Sequence, residues 1–204
     1  WPKQKMMTYD FQPATADYAA TCVPLIYSAG PEMFTHMFTR AGRDVMAYLN
    51  YAYEEGGGFF GHRNHVVALH EGQVVGIGAF YSGQDYKRLA NETTRQIAKF
   101  YPLYALPTLI IDSRHVDRWM QAPSRTTEYI ADLGVVADMR GKGVASALLQ
   151  HQKQVAKNKG RTIYALDVAD NNPRAQALYE RLGFKLTGER AYTGKYRGVD
   201  IPVA

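Results

Sequence analysis

The sequence predicts one α/β domain over residues 1–204, in which a mixed, mostly antiparallel sheet is flanked by helices. The length of 204 residues and the hydrophobic content of 46% suit a single globular domain with a sizeable core. The segment HVVALHEGQVVGIGAFYS, residues 65–82, is typical of a β-hairpin that turns at 71–73. Strand and helix patterns then alternate between residues 126 and 182. Together these three observations predict the α/β class.

The first half of the chain is expected to place several helices before the hairpin. The predicted elements are a strand at 6–12 and helices at 15–28, 31–39 and 43–54. Pro24 is expected to bend or interrupt the first of these helices. After the hairpin, residues 83–125 mix charged and aromatic side chains, and one helix is predicted there, near 113–121.

The second half has more regular patterns. The predicted elements are a strand at 126–136, a helix at 141–158, a strand at 162–168, a helix at 173–182, and two further strands within 183–203. Asn172 precedes Pro173, and Gly183 follows the last predicted helix. These are the residue types that begin and end helices.

Charge and cysteine content narrow the function classes. The formal net charge is +5, but Lys and Arg are scattered among acidic residues, so an anionic small ligand suits the chain as well as nucleic acid does. The single cysteine, Cys22, allows no intramolecular disulfide and favours a reducing, cytoplasmic setting. No apolar run approaches the roughly 20 residues of a membrane span. We therefore expect a soluble, cytoplasmic protein without membrane or nucleic-acid partners.

The link between the strand at 126–136 and the following helix is rich in glycine and basic residues. A glycine turn that leads into a helix presents unpaired N–H groups and the positive end of the helix dipole, which together bind anions. The residues concerned are Arg140, Gly141, Lys142, Gly143, Val144, Ala145 and Ser146. The turn is therefore expected to hold phosphate, with a purely structural helix cap as the alternative.

Two common phosphate-binding motifs do not account for this link. The pattern GxxxxGK[ST] is absent from the sequence. The series Gly141-x-Gly143-x-x-Ser146, followed by Asp167, approaches a Rossmann fingerprint but has serine at the third glycine position. Too little chain also remains for several more strand and helix pairs.

The glycine link and a second motif together resemble the GNAT superfamily of acetyl-CoA-dependent N-acetyltransferases. The family signature [QR]-x-x-G-x-[GA] is matched by Arg140, Gly143 and Ala145. Its downstream pattern N-x-x-A-x-x-L-Y-x-x-x-G-F is matched by Asn172, Ala175, Leu178, Tyr179, Gly183 and Phe184. The close match covers residues 127–188. The resemblance implies a GNAT-like sheet with splayed central strands, and it makes residues 83–125 an insertion before the motif strand.

The resemblance also implies roles for particular residues toward acetyl-CoA, the co-substrate, with no metal. The backbone of Leu133, Gly134 and Val135 would pair with the pantetheine arm. Amides from Arg140 to Ser146 would hold the pyrophosphate, and Asn172 would contact the cofactor. Tyr179 would be catalytic, facing the thioester sulfur, and strand amides near Val135 and Val136 would stabilise an oxyanion. The implied reaction moves an acetyl group to a primary amine by direct attack.

The sequence departs from the family at the position of the general base. Many relatives have a glutamate two residues before the first pantetheine-pairing residue, where this chain has Ala131. Strand alternation predicts that Tyr129 shares the face of Ala131, with Glu128 and Asp132 opposite. A water chain or a residue from elsewhere would then take the proton. A CoA-binding regulatory module without efficient turnover is therefore the alternative function.

Other candidate residues are less specific. His62 and His65 have no accompanying ligand set and are expected to be surface or loop histidines rather than metal ligands. Asp112 and His115 are expected to form a capping or exposed pair near a helix start. The aromatic residues expected to line an acceptor pocket or the core are Phe59, Phe60, Tyr81, Phe100, Tyr101 and Tyr104. Residues 83–125 are expected either to help form the pocket of a small-molecule or peptide amine or to mediate assembly, with a homodimer left open.

Overall fold

A computed structural model describes residues 7–119, 122–169, 172–188, 195–196 and 199–200, with the side chains of 114–119 and of the last two segments excluded. The helices are α1 (Ala19–Ser28), α2 (Pro31–Phe38), α3 (Val45–Glu55), α4 (Gly83–Phe100), α5 (Leu106–Trp119), α6 (Val144–Asn158) and α7 (Pro173–Arg181). The strands are β1 (Asp10–Pro13), β2 (His65–His70), β3 (Gln73–Ser82), β4 (Thr127–Val135), β5 (Ile163–Leu166), β6 (Lys195–Tyr196) and β7 (Val199–Asp200). Within these ranges, no helix is long and apolar enough to cross a membrane.

The main sheet is mixed and mostly antiparallel, as predicted. In the described part of the chain it has five strands in the order β1-β2-β3-β4-β5, and only the β4–β5 pair is parallel. The hairpin between β2 and β3 turns through Glu71 and Gly72, whose φ angles are +51° and +77°. A two-residue turn with positive φ at both positions matches the twist of the strands it joins.

Helices cover both faces of this sheet. On one face, α1, α2 and α3 enclose the largest hydrophobic core, which includes Val67 and Ile77 of the sheet and Tyr48 and Tyr53 of α3. On the other face, α6 packs through Val144 against Ala68 and Val75. Pro24 lies inside α1 and does not end it. The α/β prediction is confirmed in its class and in its layers.

The largest error of the sequence-based prediction concerns residues 83–125. One helix near 113–121 was expected there, whereas the structure has α4 and α5. The buried positions of α4 are Leu89, Thr93 and Gln96, which have helical spacing but include two polar side chains. The apolar residues Tyr86, Leu89, Ile97 and Phe100 nevertheless follow helical spacing, so the pattern indicates a helix that the sequence-based prediction overlooked.

Smaller differences lie at the two ends of the chain. The first strand begins at Asp10, so residues 7–9 of the predicted strand are not part of it, and residue 6 lies outside the described ranges. It pairs with β2 through Asp10 and Leu69. Two further strands were predicted within 183–203. The structure has the short pair β6 and β7 there, in which Lys195 lies opposite Asp200. The other residues of the predicted tail after Gly188 lie outside the described ranges.

Candidate active site

The sheet opens where β4 extends beyond its last residue pair with β5. The two strands pair from Thr127 and Ile163 to Ile130 and Leu166, after which β4 continues to Val135 beside β3 only. The predicted positions Leu133, Gly134 and Val135 all lie in this part of β4, which pairs with β3 on one side but not with β5 on the other. The gap between β4 and the end of β5, here called the fork, therefore offers a free strand edge to an extended ligand.

The helix α1 closes one face of the fork through Gly134. A Cβ atom at this glycine would lie 2.9 Å from both Cβ and the carbonyl oxygen of Leu25. Only glycine allows α1 to approach β4 this closely.

A β-bulge at Asp132 changes which side chains face the fork. Between two paired positions, β3 advances by two residues and β4 by three. Asp132 has a φ of +51°, in the left-handed region that aspartate tolerates better than most residues. Its carboxylate Oδ2 lies 3.4 Å from Nε2 of His65.

The bulge overturns one sequence-based expectation. His65 is opposite Ala79, and Ala79 is opposite Ala131, so these three residues share one face of the sheet. The contact with His65 brings the Asp132 carboxylate to this same face. The expected placement of Asp132 opposite Ala131 is therefore wrong, because strict alternation ends at a bulge.

The glycine turn joins β4 to α6 at the wide end of the fork. Gly141 and Gly143 have φ angles of +78° and +87°, and a Cβ at either would meet nothing within 4 Å. Gly143 is the N-cap of α6, and the first helical hydrogen bond runs from the Ala147 N–H to the Gly143 carbonyl. The amides of Val144, Ala145 and Ser146 therefore have no partner within the helix. This is an open N–H cluster at the positive end of a helix dipole.

Not every predicted amide is available for an anion. The N–H of Arg140 donates to the Ala137 carbonyl, and that of Lys142 donates to the Met139 carbonyl. The Val136 N–H donates to the Val75 carbonyl at 3.0 Å, so its predicted use for an oxyanion is wrong. Arg140 and Lys142 bring their side-chain charge to the turn instead.

Two side-chain hydrogen bonds fix the glycine turn to the sheet. The Arg140 Nε donates to the Val135 carbonyl at 3.2 Å. The Tyr9 hydroxyl donates to the Lys142 carbonyl at 2.8 Å. Sequence reasoning missed Tyr9, because a contact across 133 residues leaves no local pattern.

The helix α7 follows β5 in the chain. The Asn172 side chain caps it by accepting a hydrogen bond of 3.1 Å from the Ala175 N–H, which leaves its amide nitrogen for a ligand. The Tyr179 ring packs edge-on against Phe184 at 5.7 Å, and Phe184 also contacts Tyr164 of β5. Burial raises the pKa of Tyr179, so its hydroxyl keeps its proton at neutral pH.

Two tyrosines, Tyr81 and Tyr129, and a second carboxylate, that of Asp167, also lie beside the fork. The Tyr129 hydroxyl donates to Oδ2 of Asp167 at 2.7 Å, which connects β4 to the residue after β5. The Tyr81 and Tyr129 rings lie 5.4 Å apart. Burial, and secondarily the charge of Asp167, raises the pKa of Tyr129, so it acts as a hydrogen-bond donor.

The structure also corrects the less specific candidates. His65 is not a surface or loop histidine, since it begins β2 and its side chain is 0% exposed. Asp112 is not an exposed cap, since it is buried inside α5 and pairs with Arg40. The side chain of His115 lies outside the described ranges. Within the described ranges, no group of three His, Cys, Asp or Glu side chains is placed to hold a metal.

The predicted aromatic residues divide into three groups. Phe60, Phe100 and Tyr101 belong to the core beneath α1 to α3. Phe59 and Tyr81 pack together with Tyr129 beside the fork. Tyr104 is 77% exposed, in the connection between α4 and α5.

Comparison with known proteins agrees with this arrangement. Residues 27–184 match the model of the acetyltransferase (GNAT) family. A segment of 56 residues is 43% identical to N-alpha-acetyltransferase 30 of Schizosaccharomyces pombe, which covers 28% of this chain and 37% of that protein. The chain spans 26% to 37% of the length of four curated relatives that it matches.

Solved structures share the fold at low sequence identity. An N-acetyltransferase from Staphylococcus aureus Mu50 has a TM-score of 0.67 and 17% identity, with 89% of this chain and 93% of that chain covered. An aminoglycoside N-acetyltransferase in complex with CoA has a TM-score of 0.54 and 15% identity, with 94% and 97% covered. These likenesses confirm the predicted fold.

Proposed function

The chain belongs to the GNAT acetyltransferase family, and from this premise we propose that it transfers an acetyl group from acetyl-CoA to a primary amine. The observation that carries the proposal is the fork, whose free β4 edge leads directly to the glycine turn. The fork suits an extended amide-containing arm, and the turn suits the phosphates at the end of that arm. One ligand that has both parts is CoA.

The residues present fit this ligand. The pantetheine arm would lie along Leu133, Gly134 and Val135, where it would compete with Arg140 for the Val135 carbonyl. The pyrophosphate would meet the amides at the start of α6, with Arg140 and Lys142 supplying positive charge. The absence of a Cβ at Gly141 and Gly143 leaves the approach open.

Bound acetyl-CoA supplies an activated thioester, and residues of the chain donate and accept the protons of the reaction. Tyr179 keeps its proton because burial raises its pKa, so its hydroxyl is suited to donate a hydrogen bond to the departing sulfur. A lysine-like amine with a pKa of about 10.4 is neutral in only about one molecule in a few thousand at pH 7. The acceptor must therefore lose a proton before it attacks.

The charges beside the fork favour a cationic amine as acceptor. Asp132 and Asp167 both act on the buried Tyr81 and Tyr129. Among the described residues, the partners of these carboxylates are a histidine and a tyrosine rather than a lysine or arginine. Their negative charge therefore remains available to attract an ammonium group, although the chain as a whole carries +5.

The insertion at residues 83–125 supports the wall of this acceptor site. Leu89 of α4 is buried against Tyr81 and Tyr129, and Tyr86 of α4 lies 5.3 Å from the Phe59 ring. The aromatic residues of the wall therefore depend on α4 for their packing.

Turnover by the purified chain tests the proposal. Acetyl-CoA is incubated with a panel of alkyl monoamines, diamines, amino acids and peptides, and both free thiol and N-acetylated product are measured. We expect stoichiometric release of thiol and formation of amide with at least one cationic amine. Tight CoA binding without turnover of any acceptor would contradict the proposal and support the regulatory alternative.

A further inference from the structure

A buried histidine, His65, and an aspartate, Asp132, lie next to each other beside the fork. The His65 side chain is 0% exposed and that of Asp132 is 9% exposed. Their Nε2 and Oδ2 atoms are 3.4 Å apart. Ala79 and Ala131 lie in the same row across the sheet, so their small side chains leave room for the imidazole to reach the carboxylate.

The contact of the second ring nitrogen of His65, Nδ1, determines which nitrogen of the neutral imidazole carries the proton. The Nδ1 atom of His65 lies 2.9 Å from the Gly61 carbonyl, which only accepts hydrogen bonds. Nδ1 therefore carries a proton, and a neutral His65 presents the lone pair of Nε2 to the Asp132 carboxylate. One added proton turns this repulsive contact into an attractive one.

The backbone places the Asp132 carboxylate next to Ala131, the position at which many relatives have a glutamate. Asp132 directly follows Ala131 and occupies the left-handed conformation of the bulge. Such strained positions are retained where the surrounding structure requires them. Here the bulge turns the carboxylate toward the face that holds Tyr129, at the point where β5 leaves β4.

Resting on the proposed acetyl transfer, we propose that Asp132, positioned by His65, takes the proton that the acceptor ammonium loses. The freed amine then forms a bond to the acetyl carbon as the carbon–sulfur bond breaks. The second amine proton reaches the departing thiolate, which leaves as the thiol. The proton held by Asp132 and His65 passes to solvent, so one proton is released per turnover.

Other titratable groups face the same space. They are Tyr81 of β3, Tyr129 of β4, Asp167 after β5 and, beyond the imidazole at a ring distance of 6.3 Å, Tyr53 of α3. Burial raises the pKa of all three tyrosines, which keeps them protonated at neutral pH. Asp167 already accepts the Tyr129 hydroxyl. Asp132 is therefore the carboxylate that is paired with a second proton acceptor.

The experiment replaces the carboxylate in two ways that the backbone tolerates. Asparagine and glycine both accept a positive φ, so Asp132→Asn and Asp132→Gly keep the bulge. Each variant is assayed from pH 6 to 10 with an alkylamine and with a hydrazide acceptor that is neutral at pH 7. Calorimetry gives CoA affinity, and Asp17→Asn is the control, since Asp17 is exposed and far from β4 in the chain.

The expected result depends on the acceptor. Both variants should lose about a hundredfold or more in kcat/KM for the alkylamine at pH 7, with the loss shrinking as pH rises. The hydrazide should lose less than tenfold, and CoA affinity should stay within about twofold. His65→Gln should shift the pH profile of the alkylamine reaction without changing CoA affinity.

Two outcomes would separate the possible failures. Parental alkylamine kinetics in a folded, CoA-binding Asp132→Gly or Asp132→Asn variant would overturn the role of Asp132 and leave acetyl transfer standing. Equal losses for alkylamine and hydrazide would also overturn it, since a merely structural role affects both acceptors. If the parent chain itself acetylates no amine, the proposed function fails.

Discussion

The Tyr9 hydroxyl donates a hydrogen bond of 2.8 Å to the carbonyl oxygen of Lys142, 133 residues further along the chain. This bond ties the segment before β1 to the middle of the glycine turn. The Tyr9 ring also lies 5.7 Å from the His70 ring at the end of β2. The turn that faces the proposed pyrophosphate site is thus fixed from the far edge of the sheet.

Loss of the Tyr9 hydroxyl should therefore weaken CoA binding. In Tyr9→Phe the turn loses one hydrogen bond, with a net value of about 0.5 to 1.5 kcal/mol, so the Kd for CoA should rise by about twofold to tenfold. Calorimetric titration measures this. Tyr27→Phe, which removes a hydroxyl bonded to Thr35 on another part of the surface, should bind CoA like the parent. An equal loss in both variants would show that the Tyr9 contact has no specific effect on the turn.

The glycine turn itself gives a second prediction. Valine at position 143 would place a branched side chain in the open space before the α6 amides, and CoA affinity should fall by tenfold or more. Isothermal titration of Gly143→Val with CoA checks this.

The end of the same helix offers a matched control. Gly160 also has a positive φ, of +73°, and open space around its Cβ position. Gly160→Val should therefore suffer similar backbone strain and a similar fall in melting temperature, but it should bind CoA normally. If Gly143→Val folds and binds CoA as tightly as Gly160→Val, the turn is not the phosphate site.

Local patterns predicted most of the fold. The hairpin turn at Glu71 and Gly72, the cap of α7 at Asn172 and the end of that helix at Gly183 all depend on residue types with specific backbone preferences. The helix α4 was overlooked although its apolar residues follow helical spacing, and its buried face also holds Thr93 and Gln96. Their hydrogen bonds reach residues 57 and 59, which no helical pattern reveals.

The site was predictable only where one segment forms it. The glycine turn and its open amides follow from residues 140–146 alone. The pair of His65 and Asp132 was not predictable, because a bulge moves one carboxylate across the sheet and alternation predicts the opposite face. The hydrogen bond from the Val136 N–H to the Val75 carbonyl of β3 was not predictable either, because it depends on strand register.

Tyr179 provides a prediction about rate. Tyr179→Phe keeps the ring contact with Phe184 and removes only the hydroxyl, so kcat should fall by about tenfold to a thousandfold with little change in CoA affinity. Because burial raises the Tyr179 pKa above its ordinary value of 10.0, its proton should be present throughout the neutral range. Stopped-flow measurement under conditions where chemistry limits the rate is the check. An unchanged kcat there would remove Tyr179 from the mechanism.

The charge of Asp167 should affect the acceptor rather than CoA. Asp167→Asn keeps an oxygen that accepts the Tyr129 hydroxyl but removes the negative charge. The KM for a cationic amine should rise by about threefold to thirtyfold, and the KM for acetyl-CoA should change less than twofold. Initial-rate kinetics with each substrate varied in turn measure both values. A rise confined to acetyl-CoA would place the carboxylate on the cofactor side of the fork.

The segment 83–125 carries the last prediction, since two of its aromatic residues, Tyr86 and Tyr104, lie in different surroundings. The Tyr86 ring lies 5.3 Å from Phe59 and 6.4 Å from Tyr81, whereas Tyr104 is 77% exposed. Tyr86→Ala should therefore loosen the aromatic wall and raise the KM for the acceptor by about fivefold or more, with CoA affinity retained. Tyr104→Ala, which removes the same ring from the surface, should leave acceptor kinetics unchanged. If instead Tyr104→Ala changes the mass measured by light scattering and Tyr86→Ala leaves acceptor KM at the parental value, the insertion is an assembly surface and not part of the pocket.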